Sequence, residues 1–433
     1  MESLWTESAN IKKFQHLKND IKTDVLIVGG GLAGILCAYM LKKAQINCVL
    51  IEADRILRGV TGYTTAKITV QHGLIYNKII KKYGVESAKM YLTAQQKALD
   101  TFSKLCSETD CDYKIQDAYI YSTNNAKNIE LEADAYDRIG LDYEYCKNIP
   151  LPIKTVGALK INNQAQFNPI KFCQSFIEDI TIFENTKAIS LFDGGMITNK
   201  GKIFADKIIV ATHFPIFNKY GGYFLKMYQH RSYVLALKNV YLNDGMYVDE
   251  NLKGLSFRGY NDVLLLGGGS HRTGKKGGNW QELTEFAKKY YPNSIEVMRW
   301  ATQDCMTLDG IPYIGHYSEK KTNIYVATGF NKWGMTSSMV AATILTNMIT
   351  ENENAYAQVF SPSRTLMHKQ LAINTTESII NFLTPTVPRC PHLGCALKYN
   401  HYEHSWDCAC HGSRFTKEGK VIENPATSDK TIR

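Results

Sequence analysis

The spacing of apolar residues changes as the chain runs. Asp24 to Val28 (DVLIV) is a short apolar run closed by glycines, Leu32 to Ala44 carries a helical pattern, and Cys48 to Glu52 (CVLIE) is again of strand length. Strand, tight turn, helix and strand thus follow one another near the start. From Val85 to Leu105 the apolar residues Ala88, Tyr91, Leu92, Ala98, Leu99, Phe102 and Leu105 predict one long amphipathic helix. Short strands and helices are expected over 112–191, including YIYS and a helix at Pro169 to Ile180. Lys207 to Thr212 (KIIVAT) is apolar nearly throughout, as a parallel strand covered on both faces is. Tyr228 to Gly269 alternates instead, which predicts an antiparallel sheet with one wet face. After Trp300, NIYVATGF and MTSSMVAATILTNMI predict a strand and a helix returning to the first layer.

A second module is therefore inserted between pieces of the first. Residues 1–22 form a polar lead-in with helical character, Leu371 to Leu383 predicts a late helix, and TPTVP at Thr384 to Pro388 ends it. The expected organisation is a large α/β module over 1–365, a linker helix over 366–383 and a small terminal module over 384–433. Within the first, the parallel layer falls at about 20–105, 160–225 and 300–350, and the inserted module at about 106–159 and 226–299.

Composition narrows the class. With 433 residues, 44% hydrophobic and 21% charged, the chain is neither disordered nor a coiled-coil rod. Apolar runs are broken by glycine well short of a membrane span, and no basic start leads into an apolar stretch, so no membrane span is expected and a cytoplasmic location is. The net charge of +9 is scattered, so no nucleic acid is expected. Cysteine is uneven. Cys37, Cys48, Cys106, Cys111, Cys146, Cys173 and Cys305 sit apart and suit reduced packing roles, whereas Cys390, Cys395, Cys408 and Cys410 crowd together near the end.

The segment VGGGLAG matches G-x-G-x-x-G at Gly29, Gly31 and Gly34, directly after a strand and opening a helix. These glycines allow a tight turn, backbone approach to a pyrophosphate and close helix packing. Glu52 closes the next strand, where a carboxylate can accept from an adenosine ribose. Further pieces are RGVTGYTTAK at Arg58 to Lys67, ADKIIVATH at Ala205 to His213, TLDGIPYIG at Thr307 to Gly315 and YVATGFNKWGMT at Tyr325 to Thr336. Taken in order, they resemble the D-amino-acid oxidase-like FAD oxidoreductases over nearly all of Asp24 to Thr350. The resemblance implies an FAD-binding Rossmann-like domain with an inserted antiparallel substrate sheet. It implies hydride removal from a carbon next to an amine nitrogen, in a small amine or amino acid. FAD contacts are then expected from Gly29, Gly31, Gly34, Glu52, Thr61, Thr64, Thr65, Ala211, Gly329, Gly334 and Met335. Candidate substrate anchors are His72, Arg231 and Arg258, together with Tyr233, His271 and Lys332. An arginine would hold a carboxylate by a two-pronged contact.

CPHLGC at Cys390 to Cys395 and CACHGS at Cys408 to Ser413 supply C-x-H followed by C-x-x-H. This pattern resembles the Rieske proteins, in which two cysteines hold one iron and two histidines the other iron of a [2Fe-2S] cluster. Carried over, Cys390 and Cys408 ligate one iron and His392 and His411 the other. Cys395 and Cys410 match the disulfide that pins the two loops, Ser413 a serine bonded to a bridging sulfide, and Asn424 to Ala426 the loop over the cluster. The chain resembles end to end a bacterial architecture that joins an amine-oxidase-like FAD module to a C-terminal Rieske module. This all-β module is short: the base of strands expected ahead of the first ligand loop is missing, so the loops are expected to lean on the FAD module. A structural zinc site is the alternative, although zinc commonly pairs two cysteines and then two histidines.

The resulting expectation is a dehydrogenase that sends electrons from FAD through the cluster to an unidentified acceptor. Two alternatives stay open: a flavin enzyme acting on a modified base of transfer RNA, and a redox- or metal-sensing protein with zinc at the terminal site.

Overall fold

The computed structural model describes residues 2–241, 244–277, 279–364, 369–385 and 388–430. Of the expected boundary at 384–388, residues 386 and 387 lie outside the described set, as do 366–368 of the linker.

Strand Ile21–Val28 lies between Cys48–Ile51 and Lys202–Val210, and both pairings are parallel. Lys321–Thr328 and Thr181–Phe183 extend this layer, while Tyr313–Ser318 and the hairpin strands Ala188–Phe192 and Gly195–Thr198 complete eight strands. The central strands are apolar without alternation because both faces are covered. Helices Leu32–Lys43 and Gly334–Ile349 pack together on it, and each is apolar nearly all round, as an interior helix is. Helix Pro169–Ile177 starts where the Asn168 side chain accepts from the N–H groups of Ile170 and Lys171 at 3.1 and 3.2 Å. The long helix is Val85–Ser107, with the expected apolar face buried except for half-buried Leu92.

Nine strands form the second sheet, in the order Ile295–Thr307, Met227–Lys238, Val263–Arg272, Ser256–Tyr260, Met246–Asp249, Lys114–Ser122, Gly157–Gln166 and Lys67–Ile68, with Glu144–Cys146 beside Gly157–Gln166. It is antiparallel except where Met246–Asp249 meets Lys114–Ser122. It reaches further than the sequence suggests, because both Gly157–Gln166 and Ile295–Thr307 run past the expected borders at 160 and 300. The lead-in is helical only over Leu4–Glu7, yet it places Trp5 in the core, with Nε1 donating to the Thr64 carbonyl at 2.6 Å.

The terminal module is a four-stranded sheet, Leu397–Asn400, Ser405–Cys408, Arg414–Phe415 and Val421–Glu423. Ahead of Cys390, the described residues offer it only an isolated bridge between Arg389 and Ala396 and the helix Lys369–Leu383. Arg389 closes that helix by donating to the carbonyls of Phe382 and Thr384 at 2.7 and 2.6 Å. The missing base is replaced by the oxidoreductase module. Arg231 on Met227–Lys238 pairs with Glu403 and, at 2.9 Å, with Glu423. Arg414 joins the same Glu403 at 2.9 Å and Asp407 at 3.0 Å. Burial alone would raise the Glu403 pKa, but Arg231 and Arg414 reverse this and hold it at about 2, below the ordinary 4.5.

A carboxylate with a depressed pKa contributes its full stability above the ordinary value and loses it as pH falls through the folded one. Thermal denaturation followed by circular dichroism should therefore show the terminal module weakening between about pH 4.5 and 2. Glu403→Gln strips two buried arginines of their shared partner, so a loss of about 3–5 kcal/mol is expected near neutral pH, with a flatter acid dependence.

Candidate functional site

The glycine turn lies where Ile21–Val28 ends. Gly29 has φ +113°, and a Cβ there would sit 2.5 Å from the carbonyl oxygen of Ala211, so the strand ends pack backbone to backbone. A Cβ on Gly34 would collide with the Gly29 carbonyl, which explains the third glycine as a helix-to-strand contact. At Gly31 the same test meets only Thr61 Oγ1, at 3.4 Å. The helix beginning there has no side-chain cap, although Thr61 Oγ1 accepts from the Leu32 N–H at 3.0 Å. Glu52, a half-buried residue, accepts at Oε2 from the N–H of Gly30 at 2.8 Å and at Oε1 from that of Asp54 at 3.1 Å. Burial raises its pKa against those bonds. An uncapped helix start, an open glycine and an acid at the neighbouring strand end fit the adenosine and pyrophosphate parts of a dinucleotide.

Against the second sheet lies a cavity of about 600 Å³, lined by Thr64, Thr65, His72, Lys332, Gly334 and Met335 among others. It brings together four of the expected FAD contacts, Thr64, Thr65, Gly334 and Met335. Gly329 lies beside it at φ +70°, with Thr307 filling the place of any Cβ. Gly29, Gly31, Gly34, Glu52 and Thr61 form a separate group at the sheet edge, joined to the cavity through the turn Val60–Tyr63.

The expected anchors part company. Arg231 is a correction: its guanidinium is buried between Glu403 and Glu423, leaving no fork for a substrate carboxylate. Arg258 is another: its donors go to Gln166 Oε1 and to the carbonyls of Thr65, Ala66 and Phe167, while the group stacks over Trp5 at 5.1 Å. It ties the 64–66 turn to the second sheet. His72 lines the cavity as a fixed wall, with Nδ1 held by the Tyr91 hydroxyl at 2.7 Å and Nε2 by the Thr69 carbonyl at 2.9 Å. Burial pushes its pKa down to about 3, so it stays neutral. Tyr233 donates to Glu403 at 3.0 Å and contacts His271 Nε2 at 3.1 Å, and so belongs to the module contact. Lys332 does face the cavity, donating to Ser232 and Ser270 at 2.9 and 2.8 Å with Asp304 nearby.

Lys67 was not singled out in the sequence. Its ammonium is buried at the cavity wall against Thr65 Oγ1 at 3.0 Å, and burial followed by the charge of Arg258 lowers its pKa to about 7. The only signal was its place at the end of GYTTAK, beside the hydroxylic turn.

At the terminal site two similar loops face each other. Gly394 and Gly412, at φ +77° and +88°, each return an N–H, to the carbonyls of Cys390 and Cys408 respectively, at 2.9 Å. A disulfide joins Cys395 to Cys410 across a Cα separation of 6.7 Å. Cys408 Sγ lies within 4.8 Å of both disulfide sulfurs. The Cys390 thiol is drawn down to about 7, chiefly by a hydrogen bond with Cys408 and against burial, with help from the N–H of His392 and the Ser413 hydroxyl. Ser413 Oγ also accepts from the Ala426 N–H at 3.0 Å, which seats the Asn424 to Ala426 segment over the loops. The imidazoles of His392 and His411 lie 4.9 Å apart, with both Nδ1 atoms buried and unpartnered among the described residues. His392 Nε2 meets Asn218 Oδ1 at 2.8 Å, the arrangement in which an imidazole ligates through its other nitrogen. Two thiols on one side and two free imidazole nitrogens on the other fit a two-iron cluster with unlike ends.

Two family models match the chain in succession: FAD-dependent oxidoreductase (DAO) over residues 24–348 and Rieske [2Fe-2S] domain over 360–432. The chain belongs to the FAD-dependent oxidoreductase family. The oxidoreductase ends in a Rieske domain whose match includes the linker helix, and FAD and a [2Fe-2S] cluster are its cofactors. Zinc is thereby replaced at the terminal site. The putative Rieske 2Fe-2S iron-sulfur protein YhfW of Bacillus subtilis is 35% identical over 98% of this chain and 96% of its own. The γ-glutamylputrescine oxidoreductase of Escherichia coli is 22% identical over 84% of this chain and 94% of its own. The L-proline dehydrogenase from P. horikoshii shares the fold with a TM-score of 0.67 and 16% identity, over 80% of this chain and 98% of that one. Among the described residues, no helix is long and apolar enough to cross a membrane.

His411→Ala and Cys408→Ser should each remove iron and acid-labile sulfide while leaving FAD absorbance in place. Colorimetric iron and sulfide assays beside the flavin spectrum check this.

Proposed function

We propose that this oxidoreductase oxidises a small amine or amino acid at the C–H bond next to nitrogen and delivers the electrons through its Rieske cluster to an acceptor. The observation that carries this reading is the shared wall: the strands that line the cofactor cavity also hold the cluster loops on their other side. In this reading Gly29, Gly31, Gly34 and Glu52 hold the adenosine and pyrophosphate of FAD, and Thr61, Thr64, Thr65, Ala211, Gly329, Gly334 and Met335 flank the rest. Cys390, Cys408, His392 and His411 hold the cluster. Bound FAD supplies the two-electron acceptor for a hydride.

The residues of the chain orient the substrate and keep water out. Trp333 stacks on His72 at 5.1 Å and walls the cavity beside Met335. With Arg231 and Arg258 turned elsewhere, Lys67, Lys332 and Lys82, whose buried Nζ has no hydrogen-bond partner among the described residues, are the cavity cations that can meet an acidic substituent. Asp304, raised to about 6 by burial, can take a proton from an incoming ammonium. The substrates named for the two oxidoreductases above are an amino acid and a γ-glutamylated amine, which supports this class. A cytoplasmic location completes the reading, with the disulfide kept buried against reductants.

Anaerobic titration with a panel of amino acids and polyamine derivatives should bleach the flavin and raise the paramagnetic signal of a reduced Rieske cluster together. Flavin bleaching with the cluster left oxidised would reject the relay. A second expectation concerns Lys67, which is charged below about pH 7 and neutral above it. Its grip on a carboxylate should fade as pH rises through that value, seen as a rising KM. Lys67→Met should remove this dependence and weaken binding by about 1.5–3 kcal/mol at lower pH.

A further inference from the structure

Successive residues of a strand point to opposite faces. On Met227–Lys238 and Ile295–Thr307 this alternation separates the two cofactor sites. Tyr228, Ser232, Thr302, Asp304 and Met306 line the cavity. Their neighbours Gln229, Arg231 and Gln303 meet the terminal module. Gln229 and Gln303 are both buried. Gln229 Nε2 donates to the carbonyl of His411 at 2.9 Å and to that of Asn424 at 2.8 Å. Gln303 Nε2 donates to Gln229 Oε1 at 2.9 Å and to the Gly412 carbonyl at 2.8 Å, and its own Oε1 accepts from Thr273 at 2.8 Å.

The histidine edge of the cluster site is docked inward at close quarters. A Cβ on Gly412 would lie 2.6 Å from the Gln229 side chain, and one on Gly274 would lie 2.5 Å from the Ala409 nitrogen. Arg272 adds bonds to the carbonyls of Ala409 and Cys410 at 3.1 and 3.0 Å. Phe214 stands 6.3 and 6.5 Å from the imidazoles of His392 and His411, and Asn218 caps His392. Phe214 and Asn218 thus cover the inner side of that edge, where His411 is buried and His392 half-buried.

We propose that Gln229 and Gln303 form the bridge by which an electron crosses this single sheet from the flavin cavity to the histidine edge of the cluster. The inference rests on the relay proposed above and names its route. Electron transfer weakens steeply with through-space gaps, and this pair replaces a gap with continuous hydrogen bonds from the strand backbone to the His411 peptide. In each transfer one electron leaves reduced FAD and converts one ferric ion of the cluster to ferrous. A one-electron carrier would then take it from the cluster, and over the two transfers the hydride-reduced flavin would lose a single proton to water in the cavity. Two such transfers account for the pair of electrons taken from one substrate C–H bond.

The test uses the full-length holoprotein, reduced at the flavin by a flash of light with a deazaflavin donor under anaerobic conditions. Cluster reduction is followed by absorbance and by its paramagnetic spectrum. In the unaltered protein the cluster should become reduced as the flavin is reoxidised. Absence of that step would overturn the relay itself, and the bridge with it. Gln229→Met and Gln303→Met keep the volume and remove the donors. Each is expected to retain iron, sulfide and FAD, and to slow the internal transfer about tenfold, with redox titration showing unchanged cluster and flavin potentials. If either variant loses its cluster, the other and Gln229→Glu, which keeps an acceptor but removes the donor, carry the test. An unchanged transfer rate in cluster-bearing variants, or a slowing accounted for wholly by a shifted potential, would overturn the bridge while leaving the relay standing.

Discussion

The structure depends on one constraint, the period of two along the strands Met227–Lys238 and Ile295–Thr307. Each strand serves a cavity on one face and an iron–sulfur module on the other, so no position along the overlap is free to face solvent. A slip of one residue would turn Gln229 and Arg231 into the cavity and Tyr228 and Ser232 toward the cluster. Of the register shifts in this sheet, the one between Arg231 and Tyr233 opposite Val263–Arg272 falls beside the module contact, while that between Ala236 and Leu237 opposite Ile295–Thr307 lies beyond it. The first lets Tyr233 reach Glu403 although Tyr233 also borders the cavity.

This constraint explains which features were legible in the sequence. Local periods carried the first strand, the glycine turn, the long helix and the alternating sheet, because each is decided by residues a few positions apart. The two loops of the terminal site were legible for the same reason: C-x-H and C-x-x-H are short motifs whose geometry is set within each loop. The alternating sheet was expected to have a wet face, but Leu235, Leu237, Leu264 and Leu266 bury that face in an apolar cluster, and only its end at Gln229 and Arg231 is polar. That end is polar because it meets peptide carbonyls and carboxylates of another module, which no local pattern distinguishes from water. Arg231 stood in the same position: its partner Glu403 is far along the chain, so an arginine in an alternating strand passed for a ligand anchor. Arg258 differs, since its partners are backbone carbonyls, which have no signature in sequence at all. Lys67 was overlooked because a lysine after a polar turn is ordinarily solvated, and only its pairing with Gln166 in the second sheet, beside the cavity, makes it a buried amine.

The contact between modules is ionic where an apolar one would have been simpler. Arg231 and Arg414 share Glu403, with Glu423 and Asp407 completing the group. Buried ion groups of this kind contribute little net stability, since desolvation offsets most of the attraction, but they punish misalignment because an unpaired buried charge is expensive. A greasy face would tolerate sliding of a small sheet by a fraction of a residue. The ion group tolerates none, and its cost is met by the hydrogen bonds of Gln229, Gln303 and Arg272 around it.

That rigidity compensates for what the terminal module lacks. A four-stranded sheet with the small core of Leu397, Phe415 and Ala426 around its cysteines buries too little to stand alone at ordinary stability. Borrowing a wall from the oxidoreductase supplies the missing base and settles the orientation at the same time. A Rieske module with its own base could be tethered loosely and carry electrons by moving. Here the wall that folds the module is the wall of the cofactor cavity, so folding and docking are one event. The distance between the cavity and the loops of the terminal site is then set by the thickness of a single sheet.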